Sequence, residues 1–508
     1  MSTQPAETPP PSAVAAAPSS HRTYDSLGAA WIPLAALCLA FFVEMVDNTL
    51  LTIALPTIGR DLGSGTTALQ WVSGAYSLTF GGLLLTAGSI ADRFGRRRVL
   101  LCGLAAFGSI SLLVLTVNST GHLIAVRAAL GLAAAAMAPI TNSLVFRFFD
   151  DDKVRMRAIT VMIVVGMSGF VLGPLIGGTV LAHVRWEFLL AVNAPIALLA
   201  CLGVRWGVPA DDNADLTREK LDLPGAALSI AAIGLFCYTL TAGVDHGWGS
   251  AITIACALGA VAAVLGFIWR ERTAASPMLD INVLKVGTVS GGAIAQVAAA
   301  LAMAGVMFGL LMHFQYALGW SPMRAGLANL PLIGTMIIGQ PLSELFVKLW
   351  GHRIACLVGV GCLAGSLVGL AWATSHGYLA IAIFMVTFTI GLRTIMTVCA
   401  VALIGAMPEN RTSLGAALND TAQEIGQSTG TAVVGTLIAL LVTRVLPDGT
   451  WPADLVASFF RGERITYLVL AVLVAVIGVV GALTLTDART TDEHGGDEGP
   501  VGEGSGSE

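Results

Sequence analysis

Ionisable side chains inside long apolar runs are where chemistry should be sought, because a charge in hydrocarbon is costly unless it is paired or faces water. Glu44 and Asp47 stand three apart in the first such run and so share a helix face. Arg127 is isolated in a later run. Arg393 precedes Asp420 and Glu424, which are four apart and share a stripe with Asn419, Gln423 and Gln427. Two readings of these groups stand side by side. One is structural: buried ion pairs, Arg127 with Asp47 and Arg393 with Asp420 or Glu424. The other is a proton site. Burial disfavours the charged form of a carboxylate and a nearby guanidinium favours it, so a proton and an arginine compete for the same oxygen. That competition suits proton-coupled exchange.

The elements that must position these residues are membrane spans. The chain has 508 residues, 55% hydrophobic and only 12% charged, with mean hydropathy +0.79. A soluble domain carries about twice that charged fraction. The net charge of −5 implies no nucleic-acid partner. Eight cysteines fall in apolar runs without a CxxC pair and read as small packing residues, neither disulfides nor metal ligands. HExxH, Walker and nucleophile-elbow patterns in a supporting context are absent, so no catalytic residues, metal or cofactor are expected, and ATP-driven transport lacks its P-loop.

A span needs about twenty residues. Apolar runs of that order fall at 31–56, 68–91, 99–117, 122–145, 158–182, 188–207, 224–243, 251–269, 289–314, 325–347, 354–373, 378–404, 414–445 and 466–485. They predict an all-α integral membrane protein of about fourteen transmembrane helices. With both termini in the cytoplasm, nineteen of the 27 Lys and Arg residues lie on the inner side and six on the outer, as the positive-inside rule requires. The Ala-, Pro- and Ser-rich stretch 1–30 and the acidic, Gly-rich stretch 487–508 read as disordered cytoplasmic tails, with no cleaved signal peptide expected.

Between the second and third runs lies a polar knot, GSIADRFGRRRVL, containing Gly88, Asp92, Arg93, Gly95, Arg96, Arg97 and Arg98. Its arginines fix the cytoplasmic side, and its glycines permit a tight turn. The stretch ELFVKLWGHR at 344–353 repeats its shape, with Gly351 in the place of Gly95 and Lys348 in that of Asp92. On this register a six-helix bundle at 31–208 and another at 287–486 flank an inserted helix pair at 209–286.

These residues carry a resemblance to the major facilitator superfamily, in particular its fourteen-helix drug:proton antiporter family. The polar knot resembles that family's loop between helices two and three. Asp47, Asn48 and Thr49 with Ala54, Leu55 and Pro56 resemble its first-helix motif, and Leu123, Arg127 and Gly131 its fourth-helix motif. Gly169, Gly173, Pro174, Gly177 and Gly178 resemble the antiporter motif of helix five. Trp71 and Tyr76, Asn193 to Pro195, Gly319 to Pro322, and Asn419 to Thr421 are similar to further stretches. The resemblance implies a proton-driven exporter of small amphipathic drugs or antibiotics in the bacterial cell membrane, working by alternating access, for which a monomer suffices. It assigns proton coupling to Asp47 and Arg127, beside which Glu44 is an added carboxylate. It gives a cytoplasmic gate to Asp92 and its loop, and close packing against the other half to the helix-five glycines.

Departures are Thr52 for asparagine, Leu130 for glutamine, Gln423 for arginine, and Arg393 where glycine is expected. They suggest an arginine moved one helix over while keeping Asp420 or Glu424 as partner. Met303, Met307 and Met312 suit either an adaptable pocket or ordinary packing. A transporter dedicated to one metabolite or nutrient would share the fold.

Overall fold

A computed structural model of the chain describes residues 24–149, 151–181, 183–211, 222–274, 283–405, 412–442 and 451–485. Among them every regular element is helical. Apolar side chains long enough to coat a hydrocarbon layer, with backbone groups satisfied along the helix itself, leave little alternative in lipid.

The chain runs through α1 (Trp31–Asp61), α2 (Thr66–Phe94) and α3 (Arg96–Leu113). α4 (Thr120–Ala135) and α5 (Ala138–Phe148) follow one path, broken before Pro139. Next come α6 (Asp152–Leu181), α7 (Trp186–Ala191), α8 (Asn193–Gly207), α9 (Leu223–Asp245) and α10 (Ala251–Thr273). α11 (Gly287–Met312) passes into a π turn, His313–Ala317. The remainder is α12 (Pro322–Leu327), α13 (Leu330–Ile338), α14 (Gln340–Ala373), α15 (Tyr378–Gly405), α16 (Thr412–Leu441) and α17 (Ala453–Thr484).

Ten of these helical stretches, among the described residues, are long and apolar enough to cross a membrane. The expected spans at 68–91, 158–182, 325–347 and 414–445 are not among the ten. Three of them nevertheless fall on helices of 29, 30 and 30 residues, α2, α6 and α16. α16 is made less apolar by its stripe of Asn419, Asp420, Gln423, Glu424 and Gln427. The run at 325–347 is broken into α12, α13 and the start of α14, where Pro331 and Pro341 each open a new helix.

In the first half, α1 packs on α6 and α8, α2 on α4, and α3 on α8. In the second, α11 packs on α15, α16 and α17, and α14 on α15 and α17. The halves meet along α2 and α16 and where α6 reaches α12. α9 packs on α10 and also lies against both α2 and α16, at the seam.

The two related loops share their backbone. Gly95 has φ +97 and ends α2. Gly351 has φ +76 inside α14, where the helix kinks. Only glycine takes such angles freely, so the same device turns the chain in both halves.

Candidate functional site

α1 sets Glu44 and Asp47 one turn apart, both buried. Arg127 stands on α4, which packs closely against α2. A Cβ on Gly131 would fall 2.4 Å from the Tyr76 carbonyl oxygen, and Thr79 Oγ1 donates to the Ala128 carbonyl at 2.8 Å. Beside this contact Arg127 Nη1 donates to Asp47 Oδ2 of α1 at 2.5 Å, with both side chains 1% exposed. Its Nε donates to the Val72 carbonyl at 3.3 Å, and its guanidinium lies 4.6 Å from the centre of the Tyr76 ring. The other carboxylate oxygen, Oδ1, accepts from Asn193 Nδ2 at 2.6 Å.

Asp47 and Arg127 are conspicuous in the sequence as charges within apolar runs, whereas Asn193 and Tyr76 fall in stretches that give neither of them a role. An uncharged amide at the start of α8 gives no signal in a hydropathy pattern.

On the second half, α16 lies close to α11. A Cβ on Gly426 or Gly430 would fall 2.5 Å or 2.4 Å from the carbonyls of Val297 or Leu301. This contact aims Glu424 at α2, where a Cβ on Gly81 would lie 2.5 Å from that of Glu424. Gln427 Nε2 donates to Glu424 Oε1 at 3.2 Å, Asn419 Nδ2 to Asp420 Oδ1 at 3.3 Å, and Gln296 Nε2 to Gln423 Oε1 at 3.1 Å. Glu44 faces this cluster, within electrostatic range of Glu424, Asp420 and Asp47. The carboxylates of the two halves therefore converge on one region, and Tyr76 lies within electrostatic range of Glu44, Asp47, Arg127 and Glu424.

Arg393 does not join them. Its charged neighbour is Glu344 of α14, and its Nε is buried without a hydrogen-bond partner among the described residues. The expected pairing with Asp420 or Glu424 is not what the described residues show: the charged group beside Arg393 is on α14, and neither α16 carboxylate has Arg393 beside it.

The helix-five glycines form a seam. Gly169 sits against Met45 and Val46, its carbonyl accepting from Thr49 Oγ1 at 3.3 Å, and Gly177 sits against Leu50. A Cβ on Gly173 would lie 2.1 Å from Thr49 Oγ1. Gly178 faces the other half, and a Cβ there would fall 2.3 Å from the Met323 Cα. The side chain of Pro174 lies outside the described residues, as does that of Asp92.

In the polar stretch, Gly88 is inside α2 and makes no turn, which falls at Gly95 alone; among the described residues nothing lies within 4 Å of a would-be Cβ at Gly88. Arg93 lies over the Phe94 ring at 5.5 Å. Arg96 is half-buried at the start of α3. The Arg97 backbone N–H donates to Asp211 Oδ2 at 3.0 Å, and the Arg97 side chain bonds the Arg205 carbonyl. Asp211 thus caps α3, a favourable place for a negative charge and one that neither motif nor spacing reveals, since Asp211 is 114 residues from its partner.

At the far end of α1 the halves interlock. Gln315 Nε2 donates to the Ile53 carbonyl and Tyr316 Oη to the Pro56 carbonyl, each at 3.2 Å.

A multidrug efflux pump of Mycolicibacterium smegmatis is 32% identical over 422 residues, 83% of this chain and 82% of that protein. A puromycin resistance protein of Streptomyces alboniger is 31% identical over 475 residues, 92% and 93% of the two chains. A tetracenomycin C resistance and export protein of Streptomyces glaucescens is 30% identical over 446 residues, 88% and 82%. Among solved structures, a peptide transporter superposes with TM-score 0.64 at 15% identity, covering 92% of this chain and 98% of that one. That likeness concerns the fold alone. The family model of the Major Facilitator Superfamily matches residues 37–431, and with a transporter-like fold and Asp47, Arg127 and Asn193 in one buried network, the chain belongs to that superfamily.

Proposed function

We propose that the protein is a proton-coupled exporter of small amphipathic drugs or antibiotics. It spans a bacterial cell membrane fourteen times with both termini in the cytoplasm, and works as a monomer by alternating access. The names of its relatives support drug export. The charge asymmetry supports the orientation, in which the Gln315–Ile53 contact lies at the outer end. The lengths of α2, α6 and α16 support the larger helix count.

The observation that carries the reading is the Asp47 carboxylate, buried between Arg127 and Asn193. Both oxygens accept hydrogen bonds, as an anionic carboxylate does. A proton arriving on Oδ2 takes the place of the Arg127 bond. The guanidinium stays near, held by the Val72 carbonyl and the Tyr76 face. Arg127 can then return to displace the proton when the site opens to the other side. Proton loading and substrate release are thereby tied to the same rocking of the two halves.

In proteoliposomes with an imposed pH gradient, wild-type protein should move a fluorescent amphipathic drug against its gradient. Asp47→Asn should lose that concentrative transport. Undiminished gradient-driven transport by Asp47→Asn would overturn the assignment. A second reading, export of one dedicated compound, is favoured by the single-compound names of the tetracenomycin C and puromycin relatives. A panel of chemically unrelated drugs separates the two.

A further inference from the structure

His313 and Glu463 form another buried ionisable pair, in the opposite half from Asp47 and Arg127. His313 Nδ1 lies 2.8 Å from Glu463 Oε2, and the side chains are 1% and 2% exposed. Phe460 covers the imidazole at 5.5 Å between ring centres. The pair is neutral overall only when it holds one proton beyond those of a neutral imidazole and a carboxylate. Without that proton a buried carboxylate has only neutral donors beside it, the imidazole N–H and the Tyr467 hydroxyl, an arrangement burial penalises. Tyr467, one turn further along α17, sets its hydroxyl beside the same carboxylate, whose Oε1 makes no hydrogen bond of ordinary length among the described residues.

His313 is also the first residue of the π turn His313–Ala317. Two and three residues on, Gln315 and Tyr316 make the hydrogen bonds to Ile53 and Pro56 of α1. Such π turns are rare and frequently mark functional sites. One short turn therefore joins an ionisable pair to the contact that closes this end of the molecule.

We propose that His313 and Glu463 are a second proton-binding site, whose occupancy holds the π turn against α1 and whose deprotonation releases it. The inference rests on the proposed proton-coupled cycle for its meaning. In that cycle a proton taken up from outside should close the outer end, which is the direction this pair gives. The titratable and charged groups facing the pair are few. Tyr467 is one turn further along α17 and electrostatically coupled to Glu463. Tyr378 of α15 reaches the neighbouring rings of Phe314 and Trp320 at 6.3 Å and 5.8 Å. Arg60 of α1 lies over the Tyr316 ring at 5.6 Å and Arg324 of α12 over Trp320 at 4.1 Å. Arg461 and Arg464 occupy the exposed side of α17.

The test is hydrogen exchange of peptides covering 53–60 and 313–317, in full-length protein in liposomes without substrate, corrected for the intrinsic effect of pH. In the wild type, protection should fall as pH rises, by about tenfold for each pH unit over which opening releases one proton. His313→Gln and Glu463→Gln should flatten that slope, and Asp47→Asn should keep it. The double variant His313→Gln/Glu463→Gln retains a neutral amide hydrogen bond and carries the test where a single variant fails to fold. A flat wild-type profile, or a slope surviving in the Gln variants, overturns the proposal. So does a slope lost only in Asp47→Asn. Transport by Asp47→Asn is read separately, so the two proposals fail independently.

Discussion

A carboxylate that must change its protonation state needs neighbours able to serve both forms. Asn193 is such a neighbour. Its Nδ2 donates to the Asp47 carboxylate at 2.6 Å, while its own Oδ1 is buried without a partner among the described residues. Turning the amide over would present that oxygen to a protonated Asp47, so one residue can bond either state. Asn193→Ala should therefore leave drug binding near wild type but displace the pH profile of gradient-driven transport, because the anionic form loses a hydrogen bond worth about 1.5–3 kcal/mol. An unchanged profile, measured at several internal pH values, would deny Asn193 this role. Asp47 and Arg127 were legible in the sequence because hydrocarbon makes any ionised residue conspicuous. Asn193 was not, because its amide is tolerated in many contexts and it meets Asp47 only through the packing of α8 on α1.

At the scale of elements, close helix approach decides where the side chains go. The glycine motif on α6 was visible as a pattern, but the partner of each glycine was not. Gly173 is filled from the other side by Thr49, whose hydroxyl bonds the carbonyls of Met45 and Val46, each at 3.0 Å. A methyl group at 173 must displace that hydroxyl. Gly173→Ala should lower stability by about 1–3 kcal/mol, the usual cost of overpacking. Gly88 is open, so Gly88→Ala should be neutral or stabilise by a few tenths, up to about 1 kcal/mol. Thermal unfolding of the two purified variants in the same detergent checks both, and equal shifts would contradict the packing. The Arg393 pairing failed at this same scale. Spacing along α16 places Asp420 and Glu424 on one face, but nothing in it reports how α15 is rotated about its own axis.

For the whole molecule the question is which contacts belong to one arrangement of the halves and which belong to both. Gly169, Gly173 and Gly177 join α6 to α1 within the first half, so they should persist through a rocking motion. Gly178 is different, since a Cβ there would lie 2.3 Å from the Met323 Cα and 2.6 Å from its backbone nitrogen, across the divide between halves. Backbone cannot rotate aside as a side chain can. Gly178→Ala should therefore disfavour the arrangement in which this end is closed while leaving each half intact. An overlap costing about 1–3 kcal/mol in one state alone shifts the balance of states by about 5–150-fold. Spectroscopic distances between labels on the two sides of this end should lengthen in Gly178→Ala, transport should fall, and the unfolding temperature should move less than in Gly173→Ala. Removing the polar latch with Gln315→Ala and Tyr316→Phe should act in the same direction, because those side chains also bond backbone of the opposite half. If Gly178→Ala instead lowered thermal stability as much as Gly173→Ala while distances stayed fixed, Gly178 would belong to the static core of the fold and the closing end would have to be sought elsewhere along α1.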